Sequence, residues 1–219
     1  MDEIADSLDK KFVPMLERIR EMFLEFGIKN LNMDEISRKL GISKKTLYRY
    51  VDSKESLIGK IFDYEYLKWN QFTEQLSQQP FNAIEKSLEV SMRVHEEMKD
   101  INPMLMFELR KYYEPLFNEY LSQKRAFILK KMRMNLEQGI SEELYRPDLN
   151  IELVMTLYVN YLVEMHNYEI AKMSNLTFDQ VFEVMFENHI RAISTPLGVK
   201  YFESRKKEIS DNLIKNNNL

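Results

Sequence analysis

The chain contains no cysteine, which excludes disulfides, thiolate metal sites and cysteine nucleophiles. Glycine and proline are scarce, at five and six residues in 219. Strand-rich folds need frequent turns, so this scarcity favours long helices. Histidine occurs only at His95, His166 and His189, with no His-x-x-x-His spacing for a metal. No glycine-rich phosphate loop and no Gly-x-Ser-x-Gly elbow is present. No catalytic residue, metal or cofactor is therefore expected, and the chain does not read as an enzyme. The N-terminal run Met-Asp-Glu-Ile-Ala-Asp has no basic segment followed by an apolar one, so no secretory signal is expected. The most apolar stretch, Leu153 to Val163, is broken by Asn160 and is too short to span a bilayer. A soluble, cytoplasmic protein with no membrane partner is the expectation.

What is present is helix-forming and core-forming. Hydrophobic residues make up 44% of the chain and aromatics 12%, enough for one sizeable core or two smaller ones. The net charge of −4 is unevenly spread. Residues 38–54 carry Arg38, Lys39, Lys44, Lys45, Arg49 and Lys54 against Asp52 alone, or +5, and leave −9 for the rest. A local basic surface on an acidic chain points either to an anionic partner or to a solvated face.

The pattern around that surface predicts short helices. Phe12, Leu16, Ile19, Phe23 and Phe26 make one apolar stripe, predicting a first helix over about 10–26 with Pro14 in its first turn and Gly27 at its end. Asn32 and Glu35 form a capping-box pattern for a helix at 33–40, with Ile36 and Leu40 inward. Gly41 permits a tight turn. Ser43 caps a third helix at 44–50 around Leu47, and Ser53 a fourth that starts at Lys54 and runs toward Pro80. Gly59 lies inside the fourth helix without evident reason. Further helices are expected at 81–98, 103–112, 115–138, 150–172, 177–194 and 199–214, broken at Pro103, Pro115, Gly139, Pro147 and Pro196.

Two short helices joined by a glycine turn are the helix-turn-helix pattern, whose second helix enters the DNA major groove. Here that helix carries Lys44, Lys45, Thr46, Tyr48 and Arg49. Cationic side chains can donate to guanine or phosphate, and tyrosine hydroxyls to phosphate. Lys54 begins the next helix, where the helix dipole also favours an anion.

Residues 18–62 resemble the DNA-binding region of TetR-family regulators. The resemblance rests on Phe23, Gly27, Asn32, Ile36, on the run Gly41, Ile42, Ser43, Thr46, Leu47, Tyr48, Tyr50, and on Ser53, Lys54, Glu55, Leu57. It implies an all-α fold. An N-terminal three-helix helix-turn-helix domain over 1–53 would precede a larger helical ligand-binding and dimerisation domain over 54–219. It also implies site roles. Asn32 would cap the second helix and approach phosphate. Lys44 and Thr46 would face bases or the adjoining backbone, and Tyr48 and Lys54 would grip phosphates. Lys45, Arg49 and Tyr50 complete the candidate DNA-binding set. Arg18, Ile19, Ser37 and Leu40 replace the alanines usual in the family, Lys45 a small residue, and Val51 an aromatic one.

The function so implied is a sequence-specific transcriptional regulator, a homodimeric repressor on a palindromic operator in double-stranded DNA. A small apolar or amphipathic effector would relieve binding. Methionines, fourteen of them, and many aromatics suit an adaptable apolar cavity. Candidate lining residues are Met92, His95, Met106, Phe107, Phe127, Tyr158, Tyr161 and His166. Candidate dimer residues, by analogy, are Leu153, Leu157, Val181, Phe182, Met185 and Phe186. The competing reading is a helical protein-interaction module whose basic patch has no specific DNA site.

Overall fold

The structure, a computed structural model, describes residues 8–98, 101, 103–164 and 177–216. Among them the chain is helical, and extended pairing is limited to an isolated bridge between Tyr145 and Ser194. The helices are α1 (Val13–Phe26), α2 (Met33–Leu40), α3 (Lys44–Leu47), α4 (Lys54–Ser77), α5 (Ala83–Met98), α6 (Pro103–Tyr112), α7 (Glu114–Ser141), α8 (Ile151–Glu164), α9 (Phe178–Ile193) and α10 (Pro196–Asn216). The expected all-α class holds, and no described helix is long and apolar enough to cross a membrane.

Two compact units form. The first gathers the described residues up to 74 with 101 and 103–124. Its core contains Leu16, Ile19 and Phe23 of α1, Ile36 and Leu40 of α2, and Leu47 of α3. Leu57, Ile58 and Ile61 of α4, Leu105 and Leu109 of α6, and Phe117 enter the same core. The first compact unit therefore extends past residue 53, because a three-helix head this small takes apolar cover from α4 and α6. Gly59 sits in α4 with the Leu116 side chain 3.6 Å from where a Cβ would lie, so the position has room for a methyl group.

The second unit gathers residues 75–98, 125–164 and 177–216 of the described chain. Ala83, Ile84 and Leu88 pack there with Leu136, Tyr145, Met155, Ile190, Ile193 and Phe202. Gly139 does not break its helix as the sequence suggested. It lies inside α7 because the buried Tyr145 ring occupies the space of its missing side chain, with ring atoms 2.0 Å from a Cβ placed there. The helix ends on the Gly139 carbonyl, which accepts from the backbone N–H groups of Leu144 and Tyr145 at 3.0 and 2.9 Å. Pro196 marks the expected break, and the last helix starts on it, three residues earlier than expected, since a proline's missing N–H costs nothing at a first helical position.

Candidate nucleic-acid interface

The head is built from satisfied helix ends. Asn32 Oδ1 accepts from the N–H groups of Asp34 and Glu35 at 3.0 and 2.9 Å, and Glu35 Oε2 accepts from Asn32 N–H at 2.8 Å. Both halves of the capping box are thus present. Gly41 ends α2 in the left-handed region at φ 73°, where any other residue would be strained. Its N–H and that of Ile42 return to Arg38 and Ser37 carbonyls at 3.1 and 3.0 Å. Ser43 then caps α3 by accepting from Thr46 N–H at 3.1 Å. The regular α-turns stop at Leu47, short of residue 50. Arg49 and Tyr50 continue as tighter turns onto the Thr46 and Leu47 carbonyls.

The substitutions that set this chain apart are accommodated locally. Ile19 and Leu40 are buried in the head's core, Val51 is buried beside them, and Arg18 Nη2 donates to the Lys39 carbonyl at 3.3 Å. Ser37 is buried and returns its hydroxyl to the Met33 carbonyl at 2.7 Å.

The candidate contact residues separate into three groups. Lys45, Tyr48 and Arg49 are exposed. With Leu47 wholly buried, helical geometry turns Lys45 away from the core, and Arg49 follows it in the tighter turn beyond α3. Lys44, Thr46, Asn32 and Lys54 hold partners within the chain. Lys44 Nζ lies 2.6 Å from Asp34 Oδ1, an exposed pair that raises the lysine pKa. Thr46 Oγ1 and Ser43 Oγ are 2.8 Å apart. Lys54 is half-buried and donates to the Ile28 carbonyl, and that burial lowers its pKa. An ammonium has three donors, so this bond leaves capacity for a phosphate. Tyr50 belongs to the third group. It stacks on buried Phe12 with centroids 4.5 Å apart and planes 2° from parallel, so its ring is packing surface.

Sequence reasoning missed two acids here. Asp34 is one, since its pairing with Lys44 crosses the turn and has no local signature. Glu108 is the other. It is 8% exposed, on α6, and its Oε2 accepts from the N–H groups of Ile28 at 2.8 Å and Lys29 at 3.1 Å. The carboxylate therefore supplies acceptors to the turn between α1 and α2, the turn that also receives Lys54. Its one signal in the sequence was a lone charge between the apolar residues Phe107 and Leu109.

The remaining candidates are divided between the two units. Met106 and Phe107 lie in the first unit, Met106 half-buried and Phe107 exposed. In the second unit, Met92, Phe127 and Tyr158 are half-buried, Tyr158 stacking on His189 at 3.9 Å. His95 is exposed beside Asp179, its Nδ1 3.3 Å from Oδ1. Tyr161 is 55% exposed, on the same stripe of α8 as Leu153 and Leu157, at 54% and 64%. His166 lies outside the described residues. Of the dimer candidates on α9, Phe182 is buried, which makes it intrachain core. Phe186 packs on the same core, and Val181 and Met185 are half-buried. Val184, 60% exposed, is the more outward residue of that helix.

Comparison with known proteins places this arrangement. Residues 15–61 match the family model of bacterial regulatory proteins, tetR family. The HTH-type transcriptional repressor KstR2 of Mycobacterium tuberculosis is 24% identical over 162 residues, covering 70% of this chain and 78% of the repressor. Among solved structures, a TetR-family transcriptional regulator from Cytophaga hutchinsonii superposes with a TM-score of 0.64 at 18% identity, over 86% of this chain and 98% of that one. FadR from Bacillus subtilis, solved in complex with stearoyl-CoA, gives 0.60 at 17% identity, over 83% and 99%.

Proposed function

The chain belongs, through residues 15–61, to the tetR family of bacterial regulatory proteins, and on that premise we propose that it is a homodimeric repressor that reads a palindromic operator with α3 and releases it on binding a small effector. The observation that carries the DNA-reading part is the exposed set Lys45, Tyr48 and Arg49, held by a capped α2, the Gly41 turn and the buried Leu47. A rigid, basic helix end of this kind suits base edges and phosphates together. Lys45 and Arg49 choose the sequence. Asn32, Lys44 and Lys54 position the backbone, the last with the donors that Ile28 leaves over.

The homodimer reading rests on Leu153, Leu157 and Tyr161, which recur one turn apart along α8 and are each more than half exposed. Two such stripes meeting about a two-fold axis would cover one another, and a palindromic operator presents its half-sites about 34–36 Å apart. Functionally the chain divides into a reading head over 1–53 and an effector and dimer part over 54–219. The effector reading is supported by the half-buried Met92, Phe127 and Tyr158 of the second unit, and by the stearoyl-CoA held by a protein of like fold. Such an effector would be apolar or amphipathic. Within the first unit, a shift of α6 would move the Glu108 carboxylate that holds the turn before α2.

Selection from a random duplex pool tests the reading. The protein should enrich an inverted repeat, and Lys45→Ala or Arg49→Ala should change which bases are enriched at matching positions of both halves. Enrichment of no sequence, with binding that any duplex satisfies equally, favours the protein-interaction module instead.

A further inference from the structure

An open cleft of about 380 Å³ lies beside the reading helix, lined by Leu8, Asp9, Phe12, Arg49, Tyr50 and Lys60. The DNA-reading role proposed above does not account for it. One wall is aromatic, formed by the stacked Phe12 and Tyr50 rings. Arg49 and Lys60 bring two positive charges to it, and Asp9 one negative charge. The Lys60 ammonium is half-buried and lies 3.5 Å from Asp63 Oδ2 on the same helix, a pairing that uses one of its three donor hydrogens. The Asp9 carboxylate accepts from Lys11 N–H at 2.8 Å, so its role is to cap the turn before α1.

Arg49 belongs to both the reading face and the cleft, so the cleft is continuous with the surface proposed to meet DNA. An anion that enters it while α3 lies in the major groove is a phosphodiester of the strand flanking the contacted bases. Two cations over an aromatic floor suit that group, which needs charge neutralisation and tolerates an apolar sugar neighbour. We propose that this cleft is a second backbone-binding site, in which Lys60 holds a flanking phosphodiester, Arg49 adds its positive charge from the edge shared with the reading face, and Asp9 limits the affinity. The inference rests on the DNA-reading proposal and extends the footprint beyond α3.

Titrating the selected duplex at several salt concentrations tests it, with intact protein and two variants. Lys60→Gln should weaken binding several-fold at low salt, on specific and unrelated duplexes alike, and lower the salt slope by about one. Asp9→Asn keeps the cap, since asparagine caps as well as aspartate, and should tighten binding by a similar factor. The opposite signs separate the site from a folding defect. A single neutral methylphosphonate in the flank should weaken the wild type clearly more than it weakens Lys60→Gln. A salt slope in Lys60→Gln equal to that of the wild type overturns the cleft while leaving the reading head intact. A wild type that shows no salt-dependent DNA binding overturns both.

Discussion

Helices α2 and α8 are held in opposite ways. At α2 every end is answered within the chain. Asn32 and Glu35 close its start, Gly41 closes its end, and the turn before it is tied to Glu108 and Lys54. Along α8, by contrast, Leu153, Leu157 and Tyr161 are turned outward and more than half exposed, while Met155 and Val159 carry the packing. A helix with both an inward and an outward apolar stripe buries only part of what its sequence provides. The head is thus specified by polar contacts inside one chain, and α8 by apolar surface whose proposed cover is a second copy.

The sharpest way to break that contrast is Leu157→Lys. The residue is exposed in the single chain, so folding should change by less than about 0.5 kcal/mol. If two heads bind as one unit, the loss of pairing should lower operator affinity by roughly 100-fold or more. Sedimentation should show a monomer. An unchanged dimer with unchanged affinity would remove α8 from the interface.

Next in size is Glu108→Ala. It leaves the Ile28 and Lys29 N–H groups, the first of them buried, without their acceptor. Hydrogen bonds to a charged group are worth about 1.5–3 kcal/mol, so a loss of about 3 kcal/mol is expected in chemical denaturation. Glu108→Gln, which keeps an acceptor oxygen, should recover part of it. An equal loss in both variants would mean that packing rather than hydrogen bonding is at stake.

A third effect concerns pH and the second unit. Burial pushes the His189 imidazole down to about 4, against an ordinary 6.5. The unfolded chain binds the proton first. Stability is therefore fully present above about pH 6.5 and is lost as pH falls toward 4, by at most about 3 kcal/mol. His189→Phe should flatten the fall in stability measured between those values. Titration of the wild-type imidazole near its ordinary value would contradict the burial.

The smallest effect is Gly59→Ala. The nearest side-chain atom leaves room for a methyl, and alanine is favoured over glycine by about 1 kcal/mol inside a helix. A gain of that size is expected in thermal or denaturant unfolding. A loss would reveal a constraint at Leu116.

These two helices also differ in how far they could be read from sequence. The limits of α2 were legible to the residue, because asparagine, glutamate and glycine act on their own neighbours. The end of α3 was not, since a four-residue helix is held by packing on Leu47 rather than by its own propensity. Nor could periodicity say which partner covers an apolar face. Leu157 and Phe182 fit the same pattern, yet one is exposed and the other is core. Tyr50 shows the same limit, as its ring pairs with Phe12, thirty-eight residues earlier. Glu108 and Asp34 were missed because their partners are distant in sequence, and no local rule joins Glu108 to Ile28. Gly139 was misread because the residue that replaces its side chain, Tyr145, lies beyond the helix it occupies.

The central claim is that α3 reads a DNA sequence. Its most direct test is the affinity of the wild type for its selected inverted repeat and for a scrambled duplex of equal composition, across a salt series. A steep fall with salt is expected on both, with a preference for the repeat of at least about 1000-fold at physiological salt. Equal affinity for the two duplexes at every salt concentration would contradict it.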